Sequence, residues 1–410
     1  MAERIGVGII GCGGIAGTHI EALAGLAGEC RVVAVADPLE EAARRRAGES
    51  GALTWYTDYH DLLADERIAV VTIATPHYLH APIAVAAARA GKHIYVEKPM
   101  ATTVGEAQEM LAAAQQAGVR MTVSSELANP IYRFVRERVL PELGRVRSSY
   151  LLDFYFRDSA YYRSGPWRGK WATEGGGVFV NQAIYTWHPY TWLLGGVDVA
   201  YGYWANLLHP EIEVEDIGYG LVRFRDGSHG KIFSTTCYRP PAGLRLLEIA
   251  GERGTVYSAT PWLRTLDFRL DDPERDAALH NEREEVLQIL KRPPYAPWAE
   301  NDQAARIRAQ LANFLGAVRE DREPEVSAAS GGEPIKILDG FHWHGWRHAG
   351  RFREWLMARD DLASIPRAGA EPTVEEAVAA GRTGGHGLAE LLAIVRSPSP
   401  QLAAPFLATP

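Results

Sequence analysis

Cysteine is scarce in this chain: three occur among 410 residues, at positions 12, 30 and 237, and no two of them form a CxxC pair. That spacing excludes a disulfide-stapled domain and a cysteine-based metal site, so three unpaired thiols are expected. Long apolar runs are also lacking, since none approaches 18 residues, and the first strand-like segment begins without a preceding signal-like apolar stretch. These absences predict a soluble, cytoplasmic protein.

Excess positive charge is lacking as well. The chain carries 43 Lys and Arg against 51 Asp and Glu, which gives a net charge of -8, and no stretch forms a basic stripe. Nucleic acids and anionic membranes are therefore excluded as expected partners. At 410 residues the chain exceeds what a single hydrophobic core usually serves, so at least two domains are expected.

What the chain does contain is a glycine-rich turn after its first apolar run, Gly11-Cys12-Gly13-Gly14-Ile15-Ala16. In a strand-turn-helix unit, Gly11 permits the tight turn and Gly13 lets the backbone approach a pyrophosphate. Ala16 keeps the following helix close to the strand, and the free amides at the start of that helix face the phosphates. The turn therefore predicts a dinucleotide site.

An acidic residue at the end of the second apolar run bears on the choice of dinucleotide. Asp37 follows Ala16 by 21 residues. A carboxylate there accepts hydrogen bonds from the ribose hydroxyls and repels a 2′-phosphate, so NAD is favoured over NADP. The run Arg44-Arg45-Arg46 could in principle attract that phosphate, although such a run on a helix is more often a solvated face.

Strand-like and helical segments alternate up to residue 123, with strands predicted over residues 6–10, 32–36, 69–74, 93–96 and 121–123. This alternation predicts a doubly wound parallel sheet. Ligands of such sheets bind beyond the carboxyl ends of the strands, where Asp37, residues 75–77 and residues 97–99 all fall.

The pattern changes after residue 145. Strands are predicted over residues 148–156, 218–224, 230–236 and 246–250, and helices over residues 177–194, 303–319 and 338–357. Beyond Pro366 the chain is rich in Gly, Ala and Pro, with short helical stretches over 374–380 and 388–395. The predicted organisation is an α/β chain with a Rossmann domain (1–123), an α/β domain with a large, mostly antiparallel open sheet (124–366), and a C-terminal extension (367–410) expected to act as an oligomer arm.

Taken together, these motifs resemble the Gfo/Idh/MocA (glucose-fructose oxidoreductase / inositol dehydrogenase) family over about residues 4–366. The segments that carry the resemblance are the glycine turn, Ala74-Thr75-Pro76-His77-Tyr78-Leu79-His80, Glu97-Lys98-Pro99, Leu143-Gly144-Arg145-Val146 and Gly175-Gly176-Gly177. The resemblance implies NAD(P)-dependent hydride transfer to or from a hydroxyl carbon of a small carbohydrate or cyclitol. It implies cofactor contacts at Gly11, Gly13, Gly14, Ile15, Asp37, Thr75, Pro76, His77, His80, Glu97 and Lys98.

Lys98 corresponds to the lysine that the family places between the nicotinamide and the reacting hydroxyl. A partly desolvated lysine beside a positively charged ring is pushed toward its neutral form and can accept the hydroxyl proton. Lys98 is therefore expected to act as a base or as part of a proton relay. The alternative is an ordinary exposed lysine after a strand.

The second-domain helix departs from the family pattern of an Asp, a His four residues later and an Asp three residues after that. Here the positions read Asn181, Tyr185 and His188, whose spacing puts them on one helix face. Asn181 can orient a hydroxyl but holds no charge. Tyr185 can donate a proton and would act best as an acid if Lys98 lowered its pKa.

Two interpretations of His188 stay open: it replaces the missing imidazole from about 5 Å further along the helix, or it packs and hydrogen-bonds its surroundings. Pro189 inside the predicted helix clashes with the carbonyl of Tyr185, which predicts a bend there that re-aims these side chains.

Residues expected to bind substrate precede the Gly175 helix: they are Arg157, Tyr162, Trp167 and Arg168, together with Asn181. Stacking on an aromatic ring and charge-assisted bonds from arginine suit a carbohydrate or an acidic sugar, although the segment could also be a surface loop with aromatic anchors. His344 and His348 could share a metal ion, but the glutamate of an HExxH motif is missing, so no metal is expected.

The leading functional prediction is an NAD(P)-dependent sugar or cyclitol dehydrogenase or ketoreductase, with Lys98 and either Tyr185 or His188 as acid and base. A second is an NAD-retaining enzyme that uses transient oxidation for elimination, epimerisation or glycoside cleavage. A third is a non-catalytic cofactor-binding sensor, which Lys98 and the intact glycine turn disfavour. Because an open sheet face needs covering, a homodimer or homotetramer is expected.

Overall fold

Two β-sheets of different construction organise the chain in the computed structural model, which describes residues 4–239, 244–258, 266–291 and 303–324. The first sheet is parallel throughout, in the order β3-β2-β1-β4-β5-β6. Its strands are β1 (Ile5–Ile10), β2 (Cys30–Ala36), β3 (Thr54–Tyr56), β4 (Val70–Ile73), β5 (His93–Val96) and β6 (Met121–Val123). The strand order reverses between β1 and β4, where a crevice opens at the carboxyl ends. The predicted Rossmann architecture is confirmed.

Helices cover both faces of this sheet, which explains why its strands read as continuous apolar runs. They are α1 (Gly14–Ala24), α2 (Glu40–Ser50), α3 (Tyr59–Ala64), α4 (His80–Arg89) and α5 (Val104–Ala117). Helix α5 begins with a capping box formed by Thr103 and Glu106.

The second sheet has the order β13-β12-β11-β7-β10-β9-β8, and every neighbouring pair except β7 and β10 is antiparallel. Its strands are β7 (Ser148–Phe154), β8 (Val197–Ala205), β9 (Ile217–Phe224), β10 (His229–Thr235), β11 (Leu244–Ala250), β12 (Gly254–Ser258) and β13 (Asp267–Leu270). Buried and exposed residues alternate along β9, as in a sheet with one face packed and one face open. The predicted mostly antiparallel open sheet is confirmed.

Six further α-helices of the described ranges follow β6 along the chain: α6 (Pro130–Phe134), α7 (Ser159–Arg163), α8 (Trp171–Glu174), α9 (Ile184–Leu193), α10 (Pro273–Leu290) and α11 (Gln303–Arg319). The sequence patterns did not predict α10 or the strands β3, β8, β12 and β13. Helix α10 buries only Leu279 and Leu290, so it lacks the apolar stripe by which a helix is recognised. Strand β8 leaves most of its side chains exposed and so lacks the usual alternation.

Helix α11 returns the chain to the first sheet. Its apolar residues Ile307, Leu311 and Phe314 share a core with β1 and α1. At the same contact, the hydroxyl of Tyr95 on β5 donates a hydrogen bond to Gln310 at 2.9 Å. The segment 124–366 therefore contributes a helix to the cofactor-binding side of the molecule.

Some predictions fall outside the described residues: the helices over 338–357, 374–380 and 388–395, the His344–His348 pair and the extension 367–410. Within the described ranges, no helix combines the length and the apolar character that crossing a bilayer requires. Cys12, Cys30 and Cys237 are free thiols, as predicted.

Candidate active site

The glycine turn between β1 and α1 offers open space beside free amides. Gly11 has a φ of +94°, and an added Cβ there would lie 2.7 Å from the carbonyl oxygen of Ala74. At Gly13 and Gly14, by contrast, an added Cβ would meet no atom within 4 Å. The backbone at Ile15, the second residue of α1, continues this open helix N-terminus. The turn fits a dinucleotide pyrophosphate, because space and unused N–H groups coincide there.

Asp37 lies at the carboxyl end of β2 and faces the glycine turn. Its carboxylate accepts hydrogen bonds from the amide of Cys12 at 2.8 Å and from that of Leu39 at 2.9 Å. These contacts fix the carboxylate at the edge of the crevice where the ribose of a dinucleotide would lie.

The three consecutive arginines of α2 separate into two kinds. Arg44 and Arg45 form exposed ion pairs with Glu40 and Glu49, as a solvated helix face does. Arg46 also pairs with Glu49, but it donates in addition to the carbonyl oxygens of Cys12 at 3.4 Å and Gly13 at 2.8 Å. The expectation of a solvated face is therefore wrong for Arg46, which braces the glycine turn.

The end of β4 carries two histidines that hold backbone groups. His77 is buried, with Nδ1 2.8 Å from the carbonyl oxygen of Glu174, and burial lowers its pKa. The ring nitrogens of His80, also buried, lie 2.8 Å and 3.0 Å from the carbonyl oxygens of Pro99 and Thr75. Between them, the histidines fix the loop Thr75-Pro76 relative to the second domain and to the end of β5. The buried Oγ1 of Thr75 has no partner among the described residues, which leaves a polar atom available to a cofactor.

Lys98, just after β5, reaches into the second domain. Its Nζ donates hydrogen bonds to the backbone oxygen of Asn181 at 2.9 Å and to its Oδ1 at 3.0 Å. The same nitrogen lies 4.6 Å from the centroid of the Tyr185 ring. Burial lowers the pKa of Lys98 to about 8, although Glu97 opposes the shift. Burial therefore acts in the predicted direction, toward the neutral lysine, and the role of Lys98 as base or relay stays a prediction. These contacts do not fit the alternative of an exposed surface lysine.

Beneath Lys98 lies a buried pair that the sequence did not point to. Glu97 Oε1 is 2.9 Å from Nε2 of His19 on α1, and Glu97 Oε2 accepts the amide of Lys98 at 3.2 Å. Although burial alone would raise the pKa of Glu97, the hydrogen bond and charge of His19 lower it. Glu97 thus links the lysine to the first cofactor helix. Nothing in sequence spacing connects two residues 78 positions apart.

The second-domain helix begins with a wider turn than predicted. Residues Val178–Gln182 form a π-type turn, and regular α-helix starts at Ile184. The buried carboxylate of Glu215 accepts the amides of Gly177 at 2.9 Å and Phe179 at 3.2 Å. A Cβ added at Gly177 would lie 1.8 Å from the backbone oxygen of Glu215, so only glycine fits there. The last of the three glycines therefore seats the turn that carries Asn181.

Asn181 and Tyr185 both meet Lys98, but they do so differently. The Nδ2 group of Asn181 donates to the Tyr161 hydroxyl at 2.9 Å and to the Glu174 carboxylate. The Tyr185 hydroxyl forms no hydrogen bond within the described part of the chain. Burial, with added effects of Glu97 and Glu126, raises the pKa of Tyr185. The condition that Lys98 lowers that pKa is therefore not met.

The ring of His188 contacts the segment that follows β6. Its Nδ1 is 3.1 Å from Ser125 Oγ, while Nε2 is buried without a partner among the described residues. Burial lowers the pKa of His188 to about 4, so the ring is neutral. The Nδ1 contact fits a packing histidine, whereas the unpartnered Nε2 fits the substrate interpretation, so both interpretations stay predictions. Helix α9 continues through Pro189 to Leu193, and the predicted bend at Tyr185 stays a prediction.

Tyr162, which was expected to bind substrate, lies in a small apolar cluster of the second domain. Tyr162 is 5% exposed, packs with Ile212 and Val214, and shares a hydrogen bond of 3.0 Å with Thr236 Oγ1. Its neighbour Tyr161 faces the site instead, where its hydroxyl meets Asn181 Nδ2 and, at 2.7 Å, Arg168. Adjacent residues of a helix point in different directions, and the sequence pattern alone did not decide between the two.

The other expected substrate residues surround Tyr161. The guanidinium groups of Arg157 and Arg168 lie 4.9 Å and 4.4 Å from its ring centroid. Trp167 stacks on Arg168 at 4.4 Å and lies 4.7 Å from the ring of His77. These side chains are anchored against His77 after β4, which fits both the substrate-binding prediction and the alternative of a surface loop with aromatic anchors.

Glu174 was missed altogether. It is 1% exposed, and its carboxylate accepts hydrogen bonds from the Gly169 amide and from Asn181. Burial raises its pKa. Its only sequence signal is its position directly before Gly175. Asn181 contacts Lys98 but has no carboxylate. Glu174 supplies one behind it, because its carboxylate accepts a hydrogen bond from Asn181.

One group in the described ranges has metal-ligand chemistry: His209, Asp216 and Cys237, whose ligand atoms lie within 4.8 Å of one another. These atoms are already engaged. Asp216 accepts the amides of Leu207 and Leu208 and contacts His209 Nδ1 at 2.9 Å, while His209 Nε2 lies 2.8 Å from the Arg157 carbonyl oxygen. The cluster holds the loop after β8 in place.

Two protein-family models match this chain, one in each half of the described architecture. Residues 5–125 match the model of an oxidoreductase family with an NAD-binding Rossmann fold. Residues 132–257 match the model of the GFO/IDH/MocA C-terminal domain. Together the two models cover more than half of the chain, and the first supports NAD as the cofactor.

Individual relatives are dehydrogenases. Levoglucosan dehydrogenase of Pseudarthrobacter phenanthrenivorans is 29% identical over 258 residues, which cover 55% of this chain and 64% of that protein. The scyllo-inositol 2-dehydrogenase (NAD(+)) of Bacillus subtilis is 24% identical over 265 residues, or 63% of this chain and 75% of that protein. The crystal structure of the WlbA dehydrogenase from Bordetella pertussis, in complex with NADH and UDP-GlcNAcA, has a TM-score of 0.72 at 28% identity. It covers 84% of this chain and 97% of that one.

Proposed function

The chain belongs to the Gfo/Idh/MocA family of oxidoreductases, and from that premise we propose that it transfers a hydride between NAD and a hydroxyl or keto carbon of a sugar, sugar derivative or cyclitol. The observation that carries the proposal is the position of Lys98, whose Nζ is held by Asn181 at the carboxyl end of β5. That end adjoins the crevice where Gly13, Gly14 and Asp37 would hold the dinucleotide.

Hydrogen bonding suits Lys98 to act as the base. A neutral amine has two N–H donors and one lone pair. Both donors are used by the two oxygens of Asn181, at 2.9 Å and 3.0 Å, so the lone pair remains available to a substrate hydroxyl. The residues of the glycine turn and Asp37 would hold NAD⁺, which would supply the hydride acceptor for the carbinol carbon. During alcohol oxidation, Lys98 accepts the hydroxyl proton. During reduction of a ketone, it returns that proton.

We assign Tyr185 the second role. Its raised pKa keeps the phenol protonated, and its hydroxyl has no partner among the described residues. A protonated phenol can therefore donate a hydrogen bond to the substrate oxygen beside Lys98. This role does not require Tyr185 to ionise, so it is compatible with the burial of the residue.

We also propose that two copies of the chain pair through the open face of the second sheet. Tyr201 lies opposite Leu221 and Tyr203 opposite Tyr219 across strands β8 and β9. These four side chains are 52%, 59%, 60% and 49% exposed. An apolar, aromatic face of this kind on an open sheet is suited to burial against its own copy.

The test is a substrate panel of sugars, uronates, cyclitols and their keto forms with NAD⁺ or NADH. Cofactor absorbance and product mass are followed together. Turnover of cofactor in step with product supports the proposal. Product without a net change in cofactor would replace the proposed dehydrogenase by an enzyme that uses transient oxidation. No change in either cofactor absorbance or product mass, despite measurable NAD binding, would replace it by a non-catalytic sensor.

A further inference from the structure

Two arginines share one aromatic ring beside the candidate active site. Arg157, three residues beyond β7, and Arg168, after α7, place their guanidinium carbons 4.9 Å and 4.4 Å from the centroid of Tyr161. The Tyr161 hydroxyl in turn accepts from Asn181, which holds Lys98. Both arginines act on Lys98 as like charges that lower its pKa. Three cationic side chains therefore converge on one small volume.

The donors of Arg168 are largely used. It donates to the Tyr161 hydroxyl at 2.7 Å and to Ser164 Oγ at 3.1 Å, and it lies 3.9 Å from the Glu174 carboxylate. Its charge is thus partly balanced within the protein, and its geometry is fixed by three groups.

The hydrogen-bond donors of Arg157, by contrast, are largely unused. One terminal nitrogen donates to the carbonyl oxygen of the adjacent Phe156 at 3.2 Å. Its Nε is buried and has no acceptor among the described residues, and no carboxylate of those residues pairs with the guanidinium. A buried, uncompensated charge or donor is costly, and arginine in proteins normally meets a carboxylate or phosphate. Arg157 therefore has free donors for a carboxylate or phosphate that the described residues do not supply.

The nearby carboxylates are committed elsewhere. Glu174 accepts from the amides of Gly169 and Asn181, and Glu97 is paired with His19. Neither forms an ion pair with Arg157 within the described ranges. The charges of Arg157 and Arg168 therefore act on Lys98 without a carboxylate paired to Arg157.

We propose that the substrate carries an oxyanion group, a carboxylate or a phosphate, which Arg157 binds with help from Arg168 while Lys98 acts at the hydroxyl carbon. The inference rests on the proposed function and narrows its substrate to acidic sugars, acidic cyclitols or their phosphates. A planar guanidinium with free donors recognises both anions, since each offers two oxygens at suitable spacing.

The test uses matched sets of substrates: a neutral sugar or cyclitol, its uronic or aldonic acid, and its phosphate, each with NAD⁺. We expect kcat/KM for one of the anionic members to exceed that of the neutral member by about 10- to 100-fold, as charge-assisted hydrogen bonds provide. The carboxylate and phosphate members distinguish the two sources of the anion. A neutral member that equals or exceeds both anionic members overturns the inference and leaves the proposed function intact.

The variant Arg157→Met is expected to remove most of this preference, mainly through a higher KM for the anionic member. Arg163→Met is the matched control, because Arg163 is an exposed arginine of the same segment and its loss changes the net charge equally. Arg157→Lys keeps the charge but not the paired donors, and should recover only part of the preference. NAD binding and the unfolding midpoint show that each variant is folded. A folded Arg157→Met protein that keeps the full preference overturns the inference. If no member of any set is oxidised although NAD binds, the proposed function itself has failed.

Discussion

Lys98 is the residue in which burial, charge and hydrogen bonding act together. Burial removes the ammonium from water, Arg168 and Arg157 repel it, and Glu97 and Glu174 only partly offset these effects. Asn181 replaces the aspartate of the family pattern, so no carboxylate touches the lysine at that position. An amide oxygen orients the amine and stabilises its charged form less than a carboxylate would, which leaves a base that is neutral at moderately alkaline pH.

The pH dependence of oxidation follows from this environment. The base form of Lys98 is required, and its pKa is lowered to about 8. We therefore expect kcat/KM for alcohol oxidation to rise with pH and to level off above about pH 8, measured in steady-state assays from about pH 6 to about pH 10. A flat profile across that range would contradict the role of Lys98 as base.

Adjacent tyrosines offer a second comparison at this scale. Tyr161→Phe removes the acceptor shared by Asn181 and Arg168, so we expect kcat/KM to fall about tenfold while the unfolding midpoint changes little. Tyr162→Phe loses one buried hydrogen bond to Thr236, so the free energy of unfolding should fall by about 1 kcal/mol with kcat/KM near that of the wild type. Steady-state kinetics and urea unfolding of both variants decide the matter, and the opposite pattern would place Tyr162 in the site.

How far the site could be predicted differs from residue to residue. The glycine turn, Asp37 and Lys98 follow strand ends, and strand ends of a parallel sheet meet at one edge, so pattern alone located them. Glu174 and His19 could not be found this way, because their roles depend on contacts made across the fold. The choice between Tyr161 and Tyr162 depends on the orientation of a five-residue helix.

At the scale of elements, the β1–α1 turn and the π-type turn before α9 are the two pieces that carry function. The first leaves space at Gly13 and Gly14, and the second is held in place by Glu215 against Gly177. A regular helix over residues 177–194 was predicted, since periodicity does not distinguish an α-turn from a wider one. The buried carboxylate that holds the wider turn comes from a distant part of the sequence.

The glycine turn can be tested by filling its space. Gly13→Leu should fold normally, because the backbone there has a φ of -73° and an added Cβ meets nothing, but NAD affinity should fall at least about tenfold. Gly48→Leu is the control, since Gly48 also has open space but lies in the last turn of α2, at the far end of that helix from Asp37. Isothermal titration with NAD⁺ measures both. Unchanged affinity in Gly13→Leu would mean that the cofactor does not approach this turn.

For the molecule as a whole, the fold was predictable in class but not in its connections. The alternation of strand-like and helical segments predicted a parallel half and an antiparallel half. The sequence pattern did not predict that α11 returns to the first sheet. Ile307 and Phe314 have the spacing of any amphipathic helix, and only packing reveals which core they join. The division into 1–123, 124–366 and 367–410 stays a prediction.

The exposed face of the second sheet predicts that two copies of the chain pair through it. Leu221→Glu places a charge in the centre of the proposed dimer contact, so we expect the variant to be monomeric at concentrations at which the wild type is dimeric or tetrameric. Leu53→Glu is the matched control, because Leu53 is 64% exposed on the first domain. Light scattering after size-exclusion chromatography gives the masses. A monomeric wild type, or an unchanged Leu221→Glu assembly, would contradict the proposed interface.

The central claim is that Lys98 serves a direct hydride transfer to NAD. It is tested by oxidising the best substrate of the panel with deuterium at the carbinol carbon and measuring the mass of the recovered NADH. The wild type and Lys170→Met, which removes an exposed lysine before α8, should yield deuterated NADH at similar rates. Lys98→Met should be slower by about 10²- to 10⁴-fold. Unlabelled NADH from the wild type, or full activity in folded Lys98→Met, would contradict the account.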